Sequence, residues 1–134
     1  MILRVRFAET DQMRVAHHGA FVVWFEAGRV EWLRDRGMSY RALEEEGVSL
    51  AVSELRVRYR RAVRFDDELR LDTRMTALRS RGCSFSYVLT SIASGAVAAL
   101  GETDHVAADR SGRATRIPPA WHERLRLAAD DERP

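Results

Sequence analysis

The segment from about Gly19 to Arg36 constrains the fold of this chain more than any other part of its sequence. It follows a helical pattern, and its first two turns, residues 20–25, are apolar on every side. Such a helix is typical of a buried element, since an apolar surface that runs all the way round must be covered on most sides. The sequence therefore predicts a long central helix with the rest of the chain folded around it.

The remaining chain supplies strands for that cover. A first strand is predicted over residues 2–8, and Ser39 could cap a short second helix through Glu46. Four later runs have the alternating or small apolar character of strands and lie near residues 55–60, 69–76, 84–89 and 97–108. Short turn signals separate them, which indicates an antiparallel meander. This order fits an α+β fold in which a single sheet wraps around the helix.

Composition narrows the class of protein. The 134 residues suit a single domain, which we expect over residues 1–127, followed by a frayed tail over 128–134. No apolar run is long enough to span a bilayer, and the first residues alternate like a strand rather than a signal peptide. The default expectation is therefore a cytoplasmic protein with no membrane insertion.

Charge and cysteine content exclude further classes. The net charge is only +2, so nucleic-acid binding is not indicated. All 22 basic residues are arginine, so any phosphate-bearing ligand must be held by arginines or backbone N–H groups. The single cysteine, Cys83, rules out an internal disulfide and a multi-cysteine zinc site. Adjacent His17 and His18 diverge and lack a third ligand at a useful spacing, so we expect no metal. We expect no cofactor either.

The loop before the central helix carries most of the reactive groups. Asp11 offers a carboxylate and His18 an imidazole, while Gly19 and Ala20 should lie at the helix start. Unpaired N–H groups and a partial positive charge at a helix start can stabilise an oxyanion during acyl transfer. The residues alone leave another interpretation open, in which Asp11 caps a turn and His18 is a satisfied core histidine.

Two motifs resemble the hotdog-fold acyl-CoA thioesterases of the 4-hydroxybenzoyl-CoA thioesterase family. The second motif is the stretch over residues 57–69, and the resemblance runs from about Val5 to Pro118. It implies a five-stranded antiparallel sheet around the helix and dimers whose sheets join. The first motif consists of Glu9-Thr10-Asp11, Val15, His18, Phe21, Trp24-Phe25-Glu26 and Arg29.

The resemblance also implies roles for individual residues. Asp11 would act as general base or nucleophile, and His18 would orient substrate or water. The thioester carbonyl would rest on N–H groups near His18, Gly19 and Ala20. Other hotdog thioesterases carry their catalytic carboxylate on the central helix, so Glu26 is a second candidate. The alternative for Glu26 is a structural ion pair with Arg29, three residues further on.

Coenzyme A requires phosphate contacts, and we expect these from Arg79 and Arg81, which lie in a turn. Arg61 is a further candidate. It belongs to a basic group that also includes Arg58, Arg60 and Arg64. The neighbouring subunit could supply some of the phosphate contacts. Two positions depart from the family pattern. Arg14 stands where the family usually has glycine, and Phe7 stands where many relatives have tyrosine.

These observations predict a thioester hydrolase that converts an acyl-CoA to free acid and CoA. Because one sheet cannot cover the helix fully, a homodimer or homotetramer that pairs edge strands is expected. Two other classes remain open, namely a hotdog enoyl hydratase or dehydratase and a non-catalytic acyl-CoA binding module. The sequence does not identify the acyl group.

Overall fold

The computed structural model describes residues 1–131 and contains five strands, three α-helices and one 3₁₀ turn. The 3₁₀ turn spans Phe7–Glu9. The strands are β1 (Ile2–Arg4), β2 (Ser49–Tyr59), β3 (Glu68–Arg79), β4 (Gly82–Ser91) and β5 (Val97–Ala108), and the helices are α1 (His18–Asp35), α2 (Tyr40–Glu45) and α3 (Pro119–Asp130).

All five strands form one antiparallel sheet in the order β1–β3–β4–β5–β2. The strands β3, β4 and β5 follow one another through short turns, as the turn signals predict. The predicted meander of four strands is wrong at its first step, because β2 pairs with β5 at the outer edge and not with β3. Bulges interrupt the pairing of β2 near Ser53 and of β3 near Thr76. Within the described residues, no helix is both long and apolar enough to cross a membrane.

Helix α1 packs across the inner face of this sheet, and two glycines permit the close approach. A Cβ at Gly28 would lie 2.6 Å from Oγ1 of Thr73 on β3, and a Cβ at Gly101 would overlap the ring of Phe25. Phe25 is fully buried and stacks on Tyr87 of β4 with ring centroids 4.4 Å apart. The missing side chain of Gly28 therefore lets side chains of β3 pack directly against α1.

One side of α1 nevertheless remains uncovered within a single chain. Phe21, Trp24 and Phe25 are buried, whereas Val22 and Val23 are 38% and 55% exposed. The sheet reaches the helix from one side only, so the predicted cover on most sides is not achieved by one chain. The edge strand β2 has exposed apolar side chains as well, namely Val52, Leu55 and Tyr59.

Two predicted boundaries are wrong. The first strand ends at Arg4 rather than residue 8, because the chain turns into the 3₁₀ turn, where Oε1 of Glu9 accepts the N–H of Arg6 at 2.8 Å. The tail does not fray at residue 128, because α3 continues to Asp130 and buries Ala128. Residues 132–134 of the predicted tail lie outside the described residues, and the domain span 1–127 stays a prediction. The second helix does begin after Ser39, whose Oγ accepts the N–H of Ala42 at 3.2 Å.

Candidate active site

The loop between the 3₁₀ turn and α1 is fixed by the buried carboxylate of Glu9. Its Oε2 accepts the indole N–H of Trp24, on the second turn of α1, at 2.7 Å. Its backbone carbonyl accepts the N–H of His17 at 3.0 Å. Both ends of the loop are thereby tied to one residue. Glu9 belongs to the first motif, but nothing in the sequence pattern identified it as the residue that holds the loop.

The environment of Glu9 keeps its carboxylate ionised. Burial alone would raise the pKa of Glu9, but hydrogen bonds from the backbone and side chain of Arg6 and from Trp24 lower the pKa below its usual value. Because the folded-state pKa is lowered, the ionised group stabilises the fold above the unfolded-state pKa. That contribution is lost as the pH falls through the folded-state value.

Asp11 is exposed and caps a tight turn. Its Oδ1 accepts the N–H groups of Met13 at 2.8 Å and Val15 at 3.3 Å, and its own N–H donates to the carbonyl of Val15 at 2.9 Å. The capping interpretation is therefore confirmed. It uses only one carboxylate oxygen, since Oδ2 has no hydrogen-bond partner within residues 1–131. A chemical role for that second oxygen is compatible with the cap.

Arg14 occupies the left-handed region of backbone space, with φ = +63°. The loop thus keeps the conformation that the glycine of the family pattern would permit, although a side chain is present. The carbonyl of Arg14 accepts the N–H of Phe65 at 3.0 Å, which joins the loop to the segment before β3. The strained conformation is held by this contact and by the Asp11 turn.

The start of α1 has unpaired donors. His17 is the N-cap, and its Nδ1 accepts the N–H of Ala20 at 3.1 Å. The cap already uses the Ala20 N–H, so this donor is not free in the structure, and its expected role in binding a carbonyl stays a prediction. Within the described residues, the N–H groups of His18 and Gly19 have no acceptor. These two donors carry the partial positive charge of the helix start.

An open cleft of about 270 Å³ lies beside these donors. His18, Phe21, Tyr59 and Arg61 contribute to its walls. The hydroxyl of Tyr59 donates to the carbonyl of His18 at 2.8 Å, and its ring meets Phe21 edge-on at 4.9 Å. The fold thus brings His18 together with Arg61, one of the three arginines expected to contact CoA.

The other two arginines lie elsewhere in the same chain. Arg79 and Arg81 flank the β3–β4 turn, where Gly82 is opposite Val106, whereas Tyr59 is opposite Ala99. At about 3.3 Å per residue along β5, the two places are roughly 20 Å apart. One chain therefore does not bring Arg79 and Arg81 to the start of α1.

Glu26 does not pair with Arg29, contrary to the structural expectation. Glu26 is exposed, and no ion pair joins it to Arg29 within residues 1–131. Arg29 instead donates to the hydroxyl of Tyr87 on β4 at 3.1 Å.

Cys83 is buried, which raises the pKa of its thiol to about 12 and makes it inert, as expected of a small core residue. The described residues include no group of three or more histidine, cysteine or acidic side chains placed to hold a metal ion.

A long helix packed on a five-stranded antiparallel sheet, with reactive groups in the loop before that helix, defines a hotdog-fold protein of the thioesterase class. The family model described as "Thioesterase-like superfamily" matches residues 5–125, so the chain belongs to that superfamily. The predicted fold and family are confirmed, and a thioester hydrolase is the enzyme class that they define.

Similar proteins agree with this assignment. The putative acyl-CoA thioesterase YneP of Bacillus subtilis is 25% identical over 90% of this chain and 89% of its own. The acyl-CoA thioester hydrolase YbgC of Escherichia coli is 33% identical over 63% of each chain. The crystal structure of the DHNA-CoA thioesterase of Staphylococcus aureus superposes with a TM-score of 0.91 at 25% identity, covering 98% of this chain and 92% of that one.

The conformation of Arg14 generates a prediction about stability. Arg14→Gly should raise the free energy of unfolding by about 0.5–1 kcal/mol, because the left-handed strain of a side-chain-bearing residue exceeds the entropy that glycine loses on folding. Arg14→Ala is the matched control, since it removes the guanidinium but keeps the Cβ. Urea denaturation of the three proteins measures the difference, and an equal gain from alanine and glycine would contradict the strain argument.

Proposed function

We propose that the protein hydrolyses an acyl-CoA thioester to a free acid and CoA at the start of α1. The observation that carries the proposal is the pair of unpaired N–H donors at His18 and Gly19, beside a cleft and at the end of the Asp11 loop. Membership of the thioesterase-like superfamily and the relatives named as acyl-CoA thioesterases support the substrate class.

In this mechanism the two donors hold the thioester carbonyl oxygen and stabilise the negative charge that develops on it. Asp11 uses its free Oδ2 either to take a proton from an attacking water or to attack the carbonyl carbon itself. In the second route, water then hydrolyses the resulting mixed anhydride. In both routes the C–S bond breaks, CoA leaves as its thiolate, and the acid is released. His18 orients the substrate or the water.

Arg61 is the first candidate for the phosphates of CoA, because it lines the cleft that contains His18. A guanidinium presents a fork of donors that matches phosphate oxygens. Arg79 and Arg81 would reach a CoA bound at the start of α1 from the other subunit of a dimer. Under this proposal, Arg61 of one subunit and Arg79 and Arg81 of the other contact the same CoA. They can do so only in the assembled protein.

The assembly we propose is a homodimer, or a homotetramer built from such dimers. The uncovered apolar side chains Val22 and Val23 on α1, and Val52 and Leu55 on β2, support it. The edge strand β2 has unpaired backbone groups that a second copy could satisfy, and natural proteins rarely leave such an edge open.

Release of free thiol from a panel of short, long and aromatic acyl-CoAs tests the activity. A hydratase or dehydratase would change the acyl chain without liberating CoA, and a binding module would bind the ligand and release nothing. Either result would replace the proposal with the corresponding alternative.

The choice of carboxylate is tested by substitution. Asp11→Asn should lower kcat by about 10²–10⁴ if Asp11 is the base, while an asparagine Oδ1 can still accept from Met13 and Val15 and preserve the loop. The matched control is Asp67→Asn, since Oδ2 of Asp67 caps a neighbouring turn by accepting the N–H of Arg64 at 2.8 Å. Because Glu26 has no ion pair to lose, Glu26→Gln should leave both turnover and stability near those of the wild type.

A folded Asp11→Asn protein with normal turnover, together with an inactive Glu26→Gln protein, would reverse this assignment. Circular dichroism and the unfolding midpoint of each variant separate a chemical defect from a folding defect.

The arginine assignments predict changes in KM. Arg61→Ala, and the double change of Arg79 and Arg81 to alanine, should each raise KM for acyl-CoA and leave kcat nearly intact, which is the sign of lost uniform binding. Each lost charge-assisted hydrogen bond should cost roughly 1.5–3 kcal/mol. Arg70→Ala, an exposed arginine that pairs with Asp72, is the control. An unchanged KM in either variant would remove those residues from the phosphate site.

The assembly is tested independently of activity. Sedimentation velocity at micromolar concentration should show at least a dimer, because a monomer leaves the apolar side of α1 exposed to water. Val23→Glu should shift the protein towards monomer, whereas Arg34→Glu, near the other end of the same helix, should not. A stable monomer of the wild-type chain would remove the proposal.

A further inference from the structure

A second cavity lies near the middle of α1, away from the proposed active site. It has a volume of about 280 Å³ and lies among α1, α2, β2, β4 and β5. Its walls are largely apolar, with Val30, Leu33, Leu50 and Phe85 among them, and they also include Val52, one of the side chains assigned above to the proposed dimer interface. At 1.5 Å per residue, Arg29 lies roughly 16 Å along the helix from His18. The cavity and the start of α1 are therefore different places on one helix.

Arg29 provides a positive charge in this cavity, and within the described residues no carboxylate lies within ion-pair distance of its guanidinium. The half-buried guanidinium has one hydrogen bond within residues 1–131, to the hydroxyl of Tyr87 at 3.1 Å. A guanidinium has five N–H donors, so most of them remain available to a ligand. A charge that is partly removed from water without a counter-ion is costly, unless a ligand supplies the counter-ion.

A chain of hydrogen bonds fixes the neighbours of Arg29. The hydroxyl of Tyr87 lies 2.6 Å from Oγ1 of Thr103, which lies 2.8 Å from Nε2 of His105. Nδ1 of His105 lies 3.4 Å from the carbonyl of Leu50. If Tyr87 and then Thr103 donate along the chain, Nε2 of His105 accepts and Nδ1 carries the proton. This series of hydrogen bonds occupies the polar atoms of Tyr87, Thr103 and His105. The remaining N–H groups of Arg29 are therefore available to a ligand.

The charge state of His105 agrees with this arrangement. Burial, together with the positive charge of Arg29, lowers the pKa of His105 to about 4. The imidazole is therefore neutral near neutral pH, and Arg29 is the cation that faces the cavity. Glu26 also lines the cavity but is exposed, so it lies on the solvent side.

We propose that this cavity binds a small organic anion, namely an apolar body with one carboxylate, and that Arg29 binds the carboxylate. A guanidinium forms paired, charge-assisted hydrogen bonds with a carboxylate, and the apolar walls accept the rest of the molecule. The volume lies just below the usual range for ligand sites, so the ligand is about the size of one substituted ring. The inference does not depend on the proposed thioesterase activity.

The test compares benzoate with benzamide, which has the same shape and no charge. Titration of the full-length ¹⁵N-labelled protein should show saturable binding of benzoate, with the largest amide shifts around residues 29, 50 and 105. Benzamide should bind at least about tenfold more weakly, because a charge-assisted hydrogen bond is lost. Equal binding of the two, no binding of benzoate, or shifts centred on residues 18 and 19 would each overturn the proposal.

Variants identify the group responsible. Arg29→Gln keeps a donor for Tyr87 and removes the charge, so benzoate should bind about tenfold more weakly or worse. Arg34→Gln is the matched control, since Arg34 is exposed on the same helix and pairs with Glu31. Glu26→Gln should tighten benzoate binding by removing a nearby negative charge. Unchanged affinity in a folded Arg29→Gln protein would overturn the proposal, and the wild-type comparison decides it if that variant does not fold.

Discussion

The hydrogen bond between the indole of Trp24 and the carboxylate of Glu9 is the interaction on which the candidate active site depends. Trp24 lies on the second turn of α1, and the same residue Glu9 accepts the N–H of His17, the helix cap. Next to Trp24, Phe25 is fully buried and stacked on Tyr87 of the sheet. The loop that contains Asp11 is therefore attached to the most tightly packed part of the core, although Asp11 itself is exposed.

The elements of the fold could be predicted because their signals are local. The apolar turns at the start of α1 and the alternation along β3 and β4 depend only on neighbouring residues, and each appears where expected. The two wrong boundaries depend on distant partners. The first strand ends early because Glu9 caps a 3₁₀ turn, and α3 extends because Ala128 finds cover in the folded chain. Hydrophobic periodicity along the sequence predicts neither the Glu9 cap nor the cover over Ala128.

In the candidate site too, features set by the local sequence could be predicted, whereas features set by distant partners could not. The sequence placed His18 at the start of α1 and Asp11 on the loop that leads to it, because a loop must end where its helix begins. It did not predict that Nδ1 of His17 would take the N–H of Ala20, since two adjacent histidines give no indication of which one caps the helix. It also paired Glu26 with Arg29 from their spacing, whereas Arg29 finds Tyr87, 58 residues further along the chain. Spacing on one helix cannot anticipate a partner on a strand.

The position of α1 is set by close contacts rather than by the hydrogen bonds of its exposed side. Gly28 lies against Thr73 and Gly101 lies against Phe25, so added atoms would collide and the helix axis has little freedom relative to the sheet. The N–H groups of His18 and Gly19 are part of that rigid helix, and no side-chain rotation can move them. An oxyanion site made from such donors is preorganised, which is the condition under which hydrogen bonds to a developing charge contribute most. The tight glycine contacts in the core would thus serve the chemistry proposed for the helix start.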